Sequence, residues 1–237
     1  MLEAILFDWG DTLMRWEFSQ ELLAAGHRAG LEALGVPPVP EVTDRFRDAY
    51  LPRVFAPGML EEVEYPGLVR ELLGEFGIDP DEAALDRYLD AEHRAWAPAR
   101  QLAATTHALL ETLRERGYRL ALVSNALDPP WLLHRDLAEF RVTERLDAAV
   151  FSSEVGWRKP HPAIFERALD ELGGIAPERA LMVGDRLRED VGGGAALGMA
   201  TCQALWFRAE EGDGSGPEPE FKAFTQMDVV TAAKRLG

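Results

Sequence analysis

The fold prediction starts from the stretch Ala4-Ile5-Leu6-Phe7-Asp8-Trp9-Gly10-Asp11-Thr12-Leu13. Its apolar first half is typical of a buried strand, and the strand ends on a carboxylate that is followed at once by a glycine-containing turn. Ligands of an open α/β sheet bind at the carboxyl ends of its strands. Asp8 therefore lies where a carboxylate can ligate a hard cation, attack phosphorus, or do both. A strand followed by an ordinary Asx turn is the alternative for this segment taken alone.

The size and composition of the chain are those of a globular protein with a sizeable core. It has 237 residues, 47% of them hydrophobic and 28% charged, which fits one large domain or one domain with a smaller insert. No stretch approaches the roughly 20 apolar residues of a membrane span, and no basic and apolar leader precedes the first strand. Cys202 is the single cysteine, so no disulfide can form within the chain, and a reducing cytoplasm is the predicted location.

The charge balance restricts the partners. The formal net charge is −16 and no long cluster of lysine and arginine occurs, so we predict that the protein does not bind nucleic acid. An anionic substrate would meet a repulsive field, and its binding would need a metal ion and a few placed cations. Lysine is scarce, with only Lys159, Lys222 and Lys234 in the chain.

Residues 15–100 are predicted to form an all-helical insert. Helical spacing of apolar residues runs over 18–35, 41–54, 66–76 and 80–96, and proline or glycine separates these segments. No strand is predicted within the insert.

Strands and helices alternate after residue 103. The predicted strands cover 119–124, 148–152, 180–184 and 200–206, with a short one near 223–225. This alternation favours an α/β fold with a doubly wound parallel sheet. The polar stretch 208–220 is predicted to be a surface loop.

Four strand ends of this predicted sheet carry side chains suited to phosphate or metal chemistry. They are Asp8, the pair Ser124-Asn125, Lys159, and Gly184-Asp185 with Asp190 five residues further on. In a parallel sheet such ends share one edge, so the side chains can converge. Each has a structural explanation when taken singly, as a turn former, a solvated cation or a helix cap. Their joint order and spacing favours a shared site.

Four motifs together resemble those of the haloacid dehalogenase-like hydrolase superfamily. They read FDWGDTL, VSNA, GWRKPHPAIF and VGDRLREDVGGGAALGM, and the last two are the most specific. The resemblance implies a Rossmann-like catalytic core of residues 1–14 and 101–237. It also implies that residues 15–100 form an α-helical cap, with hinges at 14–17 and 97–102.

The resemblance further implies a role for each residue at the strand ends. Asp8 would be the nucleophile that forms an aspartyl-phosphate. Ser124 and Asn125 would hold the phosphoryl group, and Lys159 would neutralise charge on Asp8 and on the phosphate. A carboxylate that attacks an anionic phosphate needs such cations nearby, because they offset the repulsion between the two.

Magnesium is the cofactor that the resemblance implies. Its ligands would be Asp8, the backbone carbonyl of Gly10 and Asp185, with Asp190 completing or supporting the site. Mg²⁺ takes oxygen ligands in an octahedral shell and keeps several waters, so two carboxylates and a carbonyl suffice.

The first motif departs from the superfamily's usual pattern at one position. Most phosphatases of the superfamily read Asp-x-Asp-Gly-Thr, and the second aspartate protonates the leaving group. Here Gly10 stands at that position and Asp11 follows it. We include Asp11 among the catalytic residues, since a rewound turn would let it reach the leaving group. Alternative proton donors from the cap are Glu61, Glu62, Glu64, His27 and His93.

The predicted function is that of a magnesium-dependent phosphatase acting on a small phosphorylated metabolite. A related dehalogenase-like hydrolase, and a weakly active or non-catalytic relative that binds a phosphorylated ligand or a protein, are the alternatives. A phosphonate-cleaving enzyme would need a cap lysine, and residues 14–100 contain none. We expect no membrane partner, and a monomer or a homodimer.

Overall fold

The centre of the molecule is a six-stranded parallel sheet. A computed structural model describes residues 1–56, 58–207 and 215–237. The strands of the sheet, in chain order, are β1 (Ala4–Phe7), β4 (Arg119–Ser124), β5 (Ala148–Phe151), β6 (Ala180–Gly184), β7 (Ala200–Ala204) and β8 (Phe221–Ala223). Their spatial order is β5-β4-β1-β6-β7-β8, and every pairing is parallel. The predicted α/β class with a doubly wound parallel sheet is confirmed.

The first strand is buried on both faces, as expected for an apolar run at the middle of a parallel sheet. Ile5 and Phe7 face a cluster that includes Leu109 and Leu113. Ala4 and Leu6 alternate with them and face a second cluster, which includes Phe165. Helices therefore cover both sides of β1, and only its carboxyl end is open to a ligand.

The chain reverses its direction of winding at this strand. Strands β4 and β5 lie on one side of β1, whereas β6, β7 and β8 lie on the other. Crevices at such a switch point, outside the carboxyl ends of the strands, are the usual binding sites of doubly wound sheets. Asp8 directly follows β1 and is therefore at this crevice.

Six helices pack around the sheet and five precede it in a separate group. The first six are α6 (Thr106–Glu115), α7 (Pro130–Glu139), α8 (Ser152–Val155), α9 (Pro162–Glu171), α10 (Gly193–Ala196) and α11 (Asp228–Leu236). The other five, which we call the helical unit (residues 20–95), are α1 (Gln20–Ala33), α2 (Pro40–Arg45), α3 (Leu51–Val54), α4 (Tyr65–Gly74) and α5 (Glu82–Ala95).

The helical unit has an apolar cluster of its own, which includes Leu31, Leu72 and Tyr88. Its two long helices, α1 and α5, pack closely because glycines line the contact. A Cβ added at Gly30 would lie 2.5 Å from the ring of Tyr88, and one at Gly26 would lie 2.2 Å from the indole nitrogen of Trp96. A side chain at either glycine would force the two helices apart.

A two-stranded antiparallel ribbon stands where the chain enters and leaves the helical unit. It pairs β2 (Met14–Trp16) with β3 (Arg100–Leu102). The prediction of no strand between 15 and 100 is therefore wrong at both ends. Strands of three residues are too short to show the alternation by which a strand is recognised. The ribbon lies within the segments predicted as hinges, and the division into core and cap stays a prediction.

The remaining differences are local. The helix predicted over 41–54 is interrupted by a π-helical turn at Phe46–Tyr50, and a second π turn, Leu187–Gly192, precedes α10. The last strand ends at Ala223 rather than near 225. Of the predicted loop 208–220, residues 208–214 lie outside the described part of the chain. Among the helices described, none combines the length and apolar character that crossing a bilayer requires.

Candidate active site

The fold brings the predicted site residues to one cleft. Asp8 follows β1, Ser124 ends β4, Lys159 lies in the loop before α9, and Asp190 lies after β6. These four residues line a cleft of about 440 Å³ at the carboxyl edge of the sheet. All four are buried. Residues far apart in the sequence thus share one small volume.

Lys159 is the central cation of this cleft. Its Nζ donates to Asp8 Oδ1 at 2.6 Å, to Asp190 Oδ1 at 2.6 Å and to the carbonyl of Val123 at 2.8 Å. Burial works to lower the pKa of Lys159, but the charges of Asp190 and Asp8 outweigh it and raise the pKa above its ordinary value. The ammonium group is therefore charged at neutral pH and is fixed by three acceptors.

The carboxyl group of Asp8 is in the opposite situation. Burial raises its pKa to about 6, and the neighbouring charge of Asp190 raises it further, whereas Lys159 lowers it. The ionised form is thus destabilised by lost hydration and by a second carboxylate. A further positive charge near Asp8 would restore the ionised form.

Three carboxylates form a group with the geometry of a cation site. Oxygens of Asp8, Asp185 and Asp190 lie within 4.8 Å of one another, and all three residues are buried. Hard divalent cations prefer such all-oxygen donors. With Lys159 as the one ammonium group bonded to this cluster, negative charge is in excess, so the donor set fits Mg²⁺.

Asp190 is already held on both of its oxygens. Oδ1 accepts from Lys159, and Oδ2 accepts from the backbone N–H of Arg186 at 2.9 Å. A Cβ added at Gly184 would lie 2.2 Å from Asp190 Cγ, so a side chain at position 184 would displace this carboxylate. The geometry suits Asp190 better to supporting the site than to completing a metal shell.

The side chain of Asn125 is used within the protein. Its Oδ1 accepts from the backbone N–H of Lys159 at 2.6 Å, and its Nδ2 donates to the carbonyl of Lys159 at 3.2 Å. The amide thereby fixes the loop that carries the lysine. Ser124 lines the cleft beside Asp8 and stays a candidate for contact with a phosphoryl group.

The turn after β1 leaves an open space at Gly10. A Cβ added there would have Trp16 Cβ, at 3.9 Å, as its nearest neighbour, which is an ordinary van der Waals contact. Asp11 has a left-handed backbone with φ of 56°, and its Oδ1 accepts from the backbone N–H of Trp16 at 3.1 Å. The Asp11 carboxylate lines the cleft and also holds the start of the ribbon.

Of the five alternative proton donors, only His93 lines the cleft. His93 lies between Asp128, 2.9 Å from Nδ1, and Asp136, 2.9 Å from Nε2. Burial works to lower the pKa of His93, but the hydrogen bonds to these two carboxylates raise it above its ordinary value. Both N–H groups of the charged ring then face carboxylates, so neither points to a substrate.

The other four candidates are held elsewhere. His27 is buried in the helical unit against Thr43 and Glu92. Glu64 caps α4 by accepting from Gly67 N at 2.6 Å. Glu61 and Glu62 lie at a contact between the helical unit and the core, outside the lining of the cleft.

The aromatic and basic residues singled out in the cap divide in the same way. Trp16 and Phe55 line the cleft and are partly exposed. Phe18 stacks on Trp16 beside the cleft lining, and Tyr50 and Tyr65 are buried. The three arginines pair with acidic residues at the surface, in the pairs Arg45–Glu75, Arg47–Asp44 and Arg53–Glu71.

Three charged cleft residues were missed by the sequence prediction: Arg186, Arg188 and Glu189. Burial works to lower the pKa of Arg186, but nearby carboxylates, Asp185 first among them, raise it. Their position inside the fourth motif was the available signal. His161, by contrast, stacks on Trp157 with ring centroids 4.1 Å apart and caps α9, away from the cleft.

Comparison with known sequences gives a consistent result. A family model described as haloacid dehalogenase-like hydrolase matches residues 2–198. A glyceraldehyde 3-phosphate phosphatase of Methanothermobacter thermautotrophicus is 30% identical over 217 residues, which are 84% of this chain and 84% of that protein. A phosphoserine phosphatase of Thermus thermophilus is 35% identical over 138 residues, which are 58% of this chain and 51% of that protein.

Comparison with solved structures shows the same fold. A HAD phosphatase from Thermococcus onnurineus aligns with a TM-score of 0.64 and 23% identity, over 98% of this chain and 97% of that chain. A 2-haloacid dehalogenase from Pseudomonas syringae pv. Tomato aligns with a TM-score of 0.69 and 19% identity over the whole of both chains. Identities this low carry the fold and leave the reaction open.

Proposed function

Because the chain belongs to the haloacid dehalogenase-like hydrolase family, we propose that it is a magnesium-dependent phosphatase of a small phosphorylated metabolite, with Asp8 as the nucleophile. That it is a hydrolase follows from the family. The phosphoryl substrate, the metal and the individual residue roles are the proposal. Phosphatases among the relatives support the first of these. The predicted cytoplasmic location and the monomer or homodimer stay predictions.

One observation carries the proposal: a buried lysine ammonium group hydrogen-bonded to Asp8 within a cluster of three carboxylates. Phosphoryl transfer is catalysed mainly by positioning and by stabilising charge on the phosphoryl oxygens. Lys159 supplies one fixed positive charge beside the attacking oxygen. The carboxylate cluster provides the ligands for a second.

The proposed reaction has two steps. A carboxylate oxygen of Asp8 forms a bond to phosphorus while the bond from phosphorus to the leaving oxygen breaks, giving an aspartyl-phosphate and an alcohol or phenol once the leaving oxygen has taken a proton. Water then attacks the aspartyl-phosphate, which releases inorganic phosphate and regenerates the Asp8 carboxylate. Lys159 offsets charge in both steps, and Ser124 and the backbone N–H of Asn125 bind the phosphoryl oxygens.

The metal would be held by Asp8, Asp185 and the carbonyl of Gly10, with Asp190 in support. When bound, Mg²⁺ supplies positive charge that stabilises the phosphoryl oxygens. Its charge would also lower the pKa of Asp8 and so favour the ionised nucleophile.

Replacing Asp185 with asparagine tests the metal set. We expect the Mg²⁺ concentration for half-maximal rate to rise about 10- to 100-fold, because one charged ligand is lost while the shape is kept. The measurement is initial rate against Mg²⁺ concentration after treatment with a chelator. Asp147→Asn, which changes a carboxylate at the far end of β4, is the control. An unchanged Mg²⁺ dependence in the Asp185 variant would contradict the assignment.

We also propose that the helical unit is the cap that closes over Asp8. Its separate apolar cluster and the ribbon at both of its crossings support this division, with core residues 1–14 and 101–237 and cap residues 15–100. Trp16 and Phe55 would then contact the non-phosphoryl part of the substrate, since both line the cleft from the cap side. Cap closure would exclude water from the reacting atoms.

The rate is expected to depend steeply on the basicity of the leaving group. A positioned general acid contributes about 10²- to 10⁴-fold, and Gly10 has no side chain to act as one. Initial rates for a series of aryl and alkyl phosphates with Mg²⁺ measure this dependence. A flat dependence would contradict the expectation and would mean that another group donates the proton. The same series with Asp11→Asn would then show whether that group is Asp11.

The same assay decides between the phosphatase and its alternatives. Release of halide from a 2-haloacid, with no phosphate released from any ester, would identify a dehalogenase. Tight binding of phosphorylated ligands without turnover, unchanged in Asp8→Asn, would identify a non-catalytic relative.

A further inference from the structure

A short segment of the helical unit, Leu60–Glu62, binds the loop that carries the active-site lysine. The backbone N–H of Arg158 donates to the carbonyl of Leu60 at 2.7 Å, and the backbone N–H of Glu62 donates to the carbonyl of Gly156 at 2.9 Å. Between these bonds, Glu61 and Trp157 form an antiparallel bridge. The two segments are therefore joined as a minimal β-ladder across the contact between the helical unit and the core.

The side chain of Glu62 reinforces this contact from within. Only 2% of it is exposed. Its Oε1 pairs with Arg158 at 3.3 Å and accepts from Val63 N at 2.9 Å, and its Oε2 accepts from the hydroxyl of Ser152. A buried carboxylate that loses such partners is strongly destabilised, so these bonds hold the residue in one place.

Arg158 extends the contact further into the helical unit. Its guanidinium also donates to the carbonyl of Val54 at 3.1 Å, and 15% of the side chain is exposed. The side chain therefore spans from the core loop to both ends of the cap segment 54–62. Its next neighbour along the chain is Lys159.

The loop is thus fixed from two sides. From the core, the Asn125 amide binds the backbone N–H and carbonyl of Lys159. From the helical unit, Leu60–Glu62 binds the three residues before it. Loss of the second attachment would leave Lys159 anchored at one side only.

We infer that Glu62 is a positioning residue, which sets Lys159 against Asp8 by holding Arg158 and the loop 156–158. The inference deepens the proposed function and rests on it for its kinetic consequence. It couples the docking of the helical unit directly to the placement of the charge needed for phosphoryl transfer. A cap that leaves the core would release this loop.

The test is Glu62→Gln in the full-length protein, with Glu71→Gln as the matched control. Glu71 lies in the same helical unit and pairs with Arg53 at the surface, so the control also removes a Glu–Arg pair. Since displacements near 1 Å can lower rates about 100-fold, we expect kcat for an aryl phosphate to fall about 10- to 100-fold in Glu62→Gln, with KM within about threefold. Glu71→Gln should stay within about twofold of the parent.

A double-mutant cycle with Arg158→Gln separates positioning from general destabilisation. If Glu62 acts through Arg158, the two losses in kcat overlap and the double variant is no slower than the slower single variant. Additive losses would overturn the inference. So would a Glu62→Gln enzyme whose kcat equals that of the control, or one that loses only melting temperature.

Hydrogen exchange distinguishes failure of this inference from failure of the proposed function. Amides of residues 156–159 in the full chain should exchange faster in Glu62→Gln than in Glu71→Gln, whether or not any phosphate ester is turned over. Equal exchange would overturn the inference. Absence of phosphatase activity in the parent protein, with faster exchange in the variant, would overturn the proposed function alone.

Discussion

Asp8→Asn is expected to lower kcat for every phosphate ester by at least about 10⁴-fold, because removal of a covalent nucleophile eliminates the main reaction path. The amide cannot form the acyl phosphate, whereas the shape of the side chain and its contact with the Lys159 loop are kept. The measurement is single-turnover release of phosphate with Mg²⁺. Asp170→Asn, an exposed change on α9, is the control and should retain full activity. A residual rate above about 1% of the parent's would contradict the nucleophile assignment.

The same substitution is expected to stabilise the metal-free protein at neutral pH. Burial raises the pKa of Asp8 from 3.8 to about 6, so the folded state binds this proton more tightly than the unfolded state. The free energy of unfolding therefore falls as pH rises between about 4 and 6, by up to about 1.4 kcal/mol per pH unit. Asparagine carries no charge and avoids this loss.

Chemical unfolding without divalent ions measures this second effect. At pH 7 Asp8→Asn should be more stable than the parent by about 1–3 kcal/mol, and below pH 4 the difference should vanish. Saturating Mg²⁺ should reduce the advantage at pH 7, because the cation would stabilise the ionised aspartate of the parent only. A variant that is less stable than the parent at pH 7 would contradict the charge balance inferred for the cleft.

Gly10→Asp is expected to raise the rate with alkyl phosphates by about 10²- to 10⁴-fold, the usual contribution of a positioned general acid. Aryl phosphates, whose leaving groups need little protonation, should gain far less. The position can accept a side chain: the nearest neighbour of an added Cβ is at 3.9 Å, and the backbone there is outside the left-handed region.

Gly10→Asn is the matched control for this gain. It has the same shape as aspartate and no acidic proton, so it should leave the leaving-group dependence as steep as in the parent. Equal rates for the two variants with alkyl phosphates would contradict the view that Gly10 removes the proton donor. A gain confined to the aspartate variant would show that the rest of the cleft already suits such substrates.

The first strand and the fourth motif show how far sequence alone reaches. An unbroken apolar run such as Ala4–Phe7 is what a strand buried on both faces requires, so its place in a parallel sheet followed from the pattern. The positions of Asp8, Ser124 and Asp185 at the ends of such strands followed from the topology. The three-residue strands β2 and β3 could not be found in this way, because so short a segment has no period to detect.

The proton donor illustrates what required the structure. Five residues of the predicted cap had suitable side chains, and no local pattern ranked them. The structure removes four from the cleft and encloses the fifth, His93, between carboxylates 35 and 43 residues away in the chain. Such partners are chosen by packing between distant segments, which leaves no signal at the residue itself.

The sequence by itself determined the α/β class, the edge of the sheet that carries the chemistry and the residue types gathered there, because periodicity and strand ends are local properties of a chain. Only the tertiary structure decided how each group is engaged. Asn125 holds a loop, Asp190 has both oxygens bonded, and Glu62 meets Arg158 across 96 residues. A hydrogen bond depends on where two backbones meet in space, and that position is set by the packing of the whole core against the helical unit.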